Sequence, residues 1–252
     1  MDWIELLLLA VVGIFGGVLS GLVGVGGGIV FVPGLVYVAG WDVRDAVAAS
    51  LGIIIFSSLS GTVRSVFSKD PVNWRCAGVL SAAGAPAALI GVAINRSVPE
   101  EYVQLGFSLL LLVLAYPTAR GRKDYGGKRR TLPLAAVIVL AAVSGVLAGM
   151  LGVGGGALLV PLMMLGLGLK TKQAVSTSLA VVTVTATVGI LGYLYAGFDE
   201  LSTLPPLIIG SIFGAMLGVR VRDRVPSGAI RVAFAGFMVV VAINGFFEAG
   251  II

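Results

Sequence analysis

The stretch LVGVGGGIVFVPGL, residues 22–35, returns as MLGVGGGALLVPLM at residues 150–163. Adding 128 carries Gly21, Gly24, Val25, Gly26, Gly27, Gly28, Val32 and Pro33 onto Gly149, Gly152, Val153, Gly154, Gly155, Gly156, Val160 and Pro161. The register runs on without a gap through Ala46, Val47, Ser50 and Leu51, which fall on Ala174, Val175, Ser178 and Leu179. An offset of 127 then pairs Gly91, Val98 and Pro99 with Gly218, Val225 and Pro226. The chain reads as a tandem duplication with one small indel.

What surrounds the repeat is apolar from end to end. Of 252 residues 58% are hydrophobic and 12% charged, with a mean hydropathy of +1.07. Soluble chains carry about 25% charge to cover their surface, so the class is a polytopic membrane protein. The 37 glycines fit that class, because small residues let membrane helices approach closely. The basic pI near 9.6 does not point to nucleic acid: the charges lie between apolar runs, and no soluble basic domain remains. The single cysteine excludes an internal disulfide. The absence of histidine removes the commonest catalytic base and metal ligand. An acidic start, MDWIELLLL, reads as a first membrane segment rather than a cleaved signal.

Ten apolar stretches can be drawn: 3–20, 22–39, 46–63, 77–94 and 102–119, then 132–150, 151–167, 174–195, 204–219 and 229–247. Most reach the roughly 17–25 residues that a spanning helix needs; the glycine-rich second stretch of each half is marginal. With every stretch crossing and the Arg120–Arg130 cluster cytoplasmic, all basic residues fall on the cytoplasmic side except Arg44 and Arg96. That is the asymmetry the positive-inside rule demands. A scheme with re-entrant glycine segments also keeps Lys170 and Lys172 beside that cluster, so the charges favour ten crossings without deciding them. Both chain ends are expected outside, in the cell membrane.

Two tandem halves of five crossings each must be inverted relative to one another. The expected architecture is an all-α integral membrane protein of about ten transmembrane segments, built as two inverted five-segment repeats with glycine-broken helices. Residues 1–119 form the first membrane repeat, 120–131 a basic cytoplasmic linker, and 132–252 the second repeat. Inverted repeats are a recurring plan of secondary transporters.

The glycine runs are the candidate substrate site: Gly24, Gly26, Gly27 and Gly28 with Gly152, Gly154, Gly155 and Gly156. Each glycine in a helix interior costs about 1 kcal/mol relative to alanine, so three in a row favour a break. Inside hydrocarbon a break is tolerated only where the freed backbone is buried or faces a polar cavity. Bare backbone N–H groups and a helix N-terminus can then cradle an anion. Close packing through G-x-x-x-G is the competing account of these glycines, and it is the preferred account of Gly210, Gly214 and Gly218. The run is no nucleotide loop, since no G-K-[ST] follows and Ile29 stands at the third glycine of G-x-G-x-x-G.

Hydroxyls supply further donors without the desolvation cost of a charge. Ser50, Ser178 and Thr177 share the register of the glycine motif and join the candidate site. For Ser57, Ser58, Ser60, Thr183, Thr185 and Thr187 the expected fate is bonding back to helix carbonyls. Asp45 reads as an N-terminal cap.

The motifs GVGGG with its following proline, in both halves, and AVAASL (46–51) with AVSTSL (174–179) resemble those of the TauE/SafE family of sulfite exporter-like permeases. The resemblance spans essentially the whole chain. It implies export or uptake of small sulfur-containing anions such as sulfite or organosulfonates. It marks the glycines named above, Ser50 and Ser178 as motif positions. Ala49 stands where the second half has Thr177, so a role for that hydroxyl would be asymmetric. The expected function is a secondary transporter of such anions, with a small anionic substrate and the bilayer as partners, and no nucleic acid, metal or cofactor. A channel-like anion pore and a non-transporting assembly factor are the alternatives. An enzyme is not expected, given no histidine and no acid pair at membrane depth.

Overall fold

The first helix stops where the glycines begin. In the computed structural model, which describes residues 3–68, 70–120, 132–199, 204–221 and 227–248, α1 (Trp3–Val23) ends ahead of Gly24, and α2 (Gly28–Ala39) starts after Gly27. In the second half α6 (Leu134–Leu151) ends ahead of Gly152, and α7 (Gly156–Gly166) starts after Gly155. Gly24, Gly26, Gly27, Gly152, Gly154 and Gly155 all have φ between 66° and 89°, the left-handed region that terminates helices and favours glycine. The stretches drawn at 22–39 and 151–167 are corrected accordingly. Leu22, Val23 and Leu151 belong to the preceding helices, because the left-handed glycine after them is the point of termination.

The remaining helices are α3 (Val43–Val66), α4 (Trp74–Ser97), α5 (Glu100–Arg120), α8 (Thr171–Tyr195), α9 (Pro205–Val221) and α10 (Ser227–Glu248). The described residues thus form ten helices and no strand. By length and composition α3, α4, α6 and α8 can each cross a membrane. The 12 residues of α2 cover about 18 Å, well short of the roughly 30 Å hydrocarbon core. The expected basic linker at 120–131 lies, apart from Arg120, outside the described residues.

Helix α3 begins at Val43, so Asp45 stands inside its first turn and is not the cap expected from the sequence. The carboxylate that meets this end of the helix comes from α5: Val43 N–H donates to Glu100 Oε1 at 2.5 Å.

Small residues set the helix pairings. A Cβ on Gly210, Gly214 or Gly218 would collide with the backbone of α1 at Ala10, Ile14 or Val18. Gly13, Gly17 and Gly21 answer from α1 against Leu207, Ser211 and Ala215. Contacts rise together along both chains, so α1 and α9 run parallel. Helices α4 and α6 repeat this arrangement through Gly84 against Gly145 and Ala88 against Gly149. Packing is therefore the role of the 210–218 glycines, as their spacing indicated.

Helices α3 and α8 run antiparallel: Gly61 faces Leu179, Gly189 faces Leu51, and Thr183 Oγ1 lies 3.0 Å from Ser58 Oγ. The contacts of the halves mirror each other. The α1–α9 pair corresponds to α6–α4, α3–α9 to α8–α4, and α2–α3 to α7–α8, while α3–α8 and α5–α10 map onto themselves.

Candidate functional site

The two glycine stretches lie side by side, running in opposite directions. A Cβ on Gly28 would strike the Gly152 carbonyl, and one on Gly156 would strike that of Gly24. Between these ends, Gly26 and Gly154 both face Ile54 and Val182. Ile54 is the twelfth of 24 residues in α3, and Val182 the twelfth of 25 in α8. The glycines thus meet halfway along the two central helices, and Gly24–Gly28 and Gly152–Gly156 are buried throughout.

Serines fasten each stretch to the other half. Ser178 Oγ, on α8, donates to the Gly24 carbonyl at 2.7 Å. Its repeat mate Ser50, on α3, lies 2.9 Å from the Gly152 carbonyl and 2.8 Å from that of Val47. Both serines are fully buried. Each hydroxyl owns a single proton, and here that proton goes to backbone. The glycine amides are differently placed. Among the described residues no acceptor takes the N–H groups of Gly26, Gly27 and Gly28, or of Gly154, Gly155 and Gly156. These are the unmet donors expected at a helix N-terminus, collected at the centre of the protein.

The structure brings together every site residue named from the sequence except Thr177. One residue from Ser178, Thr177 faces another way: its Oγ1 donates to the Gln173 carbonyl at 2.7 Å and accepts the Asn73 N–H at 3.0 Å, at the start of α4. The deeper hydroxyls mostly bond back as expected, Thr183 to Leu179 O and Thr187 to Thr183 O among them. Ser57 Oγ is buried without a partner. Two supports were not foreseen. Ser144 Oγ donates to the Gly155 carbonyl at 2.7 Å, and Tyr193 Oη to the Gly149 carbonyl at 2.8 Å. Neither has a counterpart in the first half, where Gly16 and Ser65 stand instead, so the repeat gave no sign of them.

Residues 9–245 match the family model described as Sulfite exporter TauE/SafE. The chain belongs to the TauE/SafE family. Among its relatives, "Probable membrane transporter protein YunE" of Bacillus subtilis is 29% identical over 248 residues, covering 88% of this chain and 90% of the relative. A "Probable membrane transporter protein" of Haemophilus influenzae is 28% identical and covers 96% and 98%. The archaeal "Probable membrane transporter protein MJ0441" of Methanocaldococcus jannaschii is 23% identical over 248 residues. No solved structure matches. Membership of TauE/SafE and the apolar helices together make this a multi-pass membrane protein of a transporter family.

Proposed function

We propose that this chain is a secondary transporter that moves small sulfur-containing anions, sulfite or organosulfonates, across the cytoplasmic membrane through the paired glycine stretches. The observation that carries the reading is the meeting of two broken helices halfway along α3 and α8. Interrupted helices at matching repeat positions are where transporters of this plan bind substrate. Unmet amide donors at two helix N-termini suit an anion, and the family name supplies the sulfur chemistry.

The halves, 1–119 and 132–252, are read as an inverted pair joined by a cytoplasmic linker, with both termini outside. The antiparallel course of the mates α3 and α8 supports the inversion. Burial of both glycine stretches supports alternating access over an open pore.

Uptake of radiolabelled sulfite into proteoliposomes, with and without a pH gradient, tests this. The variants of choice are Ser50→Ala and Ser178→Ala. Glycine variants are poor choices, since a Cβ at Gly27 would lie 2.7 Å from the Phe31 ring and 2.8 Å from the Gly16 carbonyl. Saturable uptake that drops about fivefold or more in either serine variant, as loss of about 1–3 kcal/mol at a buried hydrogen bond implies, supports the reading. Uptake of neither sulfite nor organosulfonates by folded wild-type protein would remove it.

A further inference from the structure

Arg44 and Arg96 are the two cations that the charge pattern leaves on the outer side, where the positive-inside rule disfavours them. The fold brings both to one place. Arg44 lies in the first turn of α3 and Arg96 in the last turn of α4. An Arg44 Nη donates to the Val98 carbonyl just past the end of α4. The buried phenol of Tyr193 lies near the end of α8. That phenol holds the Gly149 carbonyl. Next to Arg96, the fully buried Asn95 donates through Nδ2 to the Met150 carbonyl at 2.7 Å. Gly149 and Met150 close α6 directly ahead of the second glycine stretch. Asn95 and Tyr193 therefore sit on the shoulder of the candidate site, with Arg96 exposed beside them at the end of α4.

Structural duties do not use up these groups. Arg44 has five donors; its Nε is buried with no partner. Asn95 Oδ1 is also buried with no partner, and native proteins rarely leave such atoms unmet. Glu100 stands nearby and keeps its negative charge while its Oε1 accepts the Val43 N–H. Helix capping explains the Arg44 bond to Val98. It does not explain a buried Nε left without a partner. A planar guanidinium with free donors is suited to an oxyanion.

Resting on the transporter reading above, we propose that Arg44 and Arg96, with Asn95 between α4 and α6, form an outer oxyanion-binding site that receives the substrate beside Gly152. The Arg44 Nε and Nη groups and the Arg96 guanidinium meet the anion's oxygens. Asn95 Oδ1 accepts from a hydrogen on the anion, as bisulfite carries, or from a bridging water. Tyr193 is a positioning residue, fixing the end of α6 against the cluster.

The test is equilibrium binding of radiolabelled sulfite to purified full-length protein in detergent, at low and at raised salt. Wild type, Arg44→Gln, Arg96→Gln and Arg75→Gln are compared; Arg75 lies at the opposite end of α4. Each variant is first checked for a single size-exclusion peak, and Arg44→Lys serves as a charge-keeping second variant. The expected result is saturable binding to wild type and Arg75→Gln. Binding should fall at least about tenfold in Arg44→Gln and Arg96→Gln, with partial recovery in Arg44→Lys. Unchanged binding in both glutamine variants overturns the site; if proteoliposomes of the same protein still take up sulfite, the transporter reading stands without it. Absence of binding to folded wild type likewise overturns the site, and the uptake assay then judges the transporter reading separately.

Discussion

At Gly27 the backbone sits at φ +88°, and the space a side chain would need is taken by the Phe31 ring and the Gly16 carbonyl. Gly40, at φ +68°, has nothing within 4 Å of the same point. The two glycines separate conformational strain from crowding. Gly40→Ala should cost about 1–2 kcal/mol, the left-handed penalty alone. Gly27→Ala should cost clearly more and lower the yield of folded protein. Thermal unfolding in detergent compares them, and equal losses would show that Phe31 moves aside freely. At this scale the helix breaks were legible in the sequence, because three glycines in a row favour a break and hydrocarbon tolerates one only where the backbone is buried or faces a polar cavity. Side-chain direction was less legible. Thr177 and Ser178 are neighbours in the chain, yet on a helix adjacent residues point about 100° apart. Only Ser178 reaches the glycines.

Among the elements, α1 with α9 and α4 with α6 rest on backbone-to-backbone contact through small residues. Gly214→Leu would drive a side chain into the α1 backbone at Ile14 and Val18. It should abolish the monodisperse folded species on size exclusion. Gly78, also within a helix, meets nothing within 4 Å. Gly78→Ala should leave folding intact and raise stability by up to about 1 kcal/mol through helix propensity. A stable Gly214→Leu protein would mean that the α1–α9 seam is not tightly closed. The spacing by four announced the role of Gly210, Gly214 and Gly218. It did not announce their partner, because pairing between α1 and α9 joins segments nearly two hundred residues apart and leaves no local trace. The short helices were also only half legible. Their existence followed from the glycines, but their starting points depend on which glycine turns left-handed.

For the whole molecule, the central question is how the halves face the membrane. Asp42 and Lys170 occupy equivalent positions, at the N-caps of α3 and α8, and both are exposed. Inverted halves put them on opposite sides. In a Cys76→Ala background, which is free of cysteine, Asp42→Cys should react with an impermeant maleimide added to intact cells. Lys170→Cys should react only after permeabilisation. Labelling of both from one side would remove the inversion and, with it, the argument for alternating access by exchange between the halves.

One consequence follows from the crossed serines. Ser178 commits its one proton to a carbonyl in the first half, whereas the Ser50 proton lies between the Val47 carbonyl of its own helix and that of Gly152. An anion that claims the Ser178 proton must therefore unlatch the opposite half at the same moment. Cargo capture and release of the clasp between the halves would then be a single exchange of partners, with no relay of intervening side chains needed to connect them.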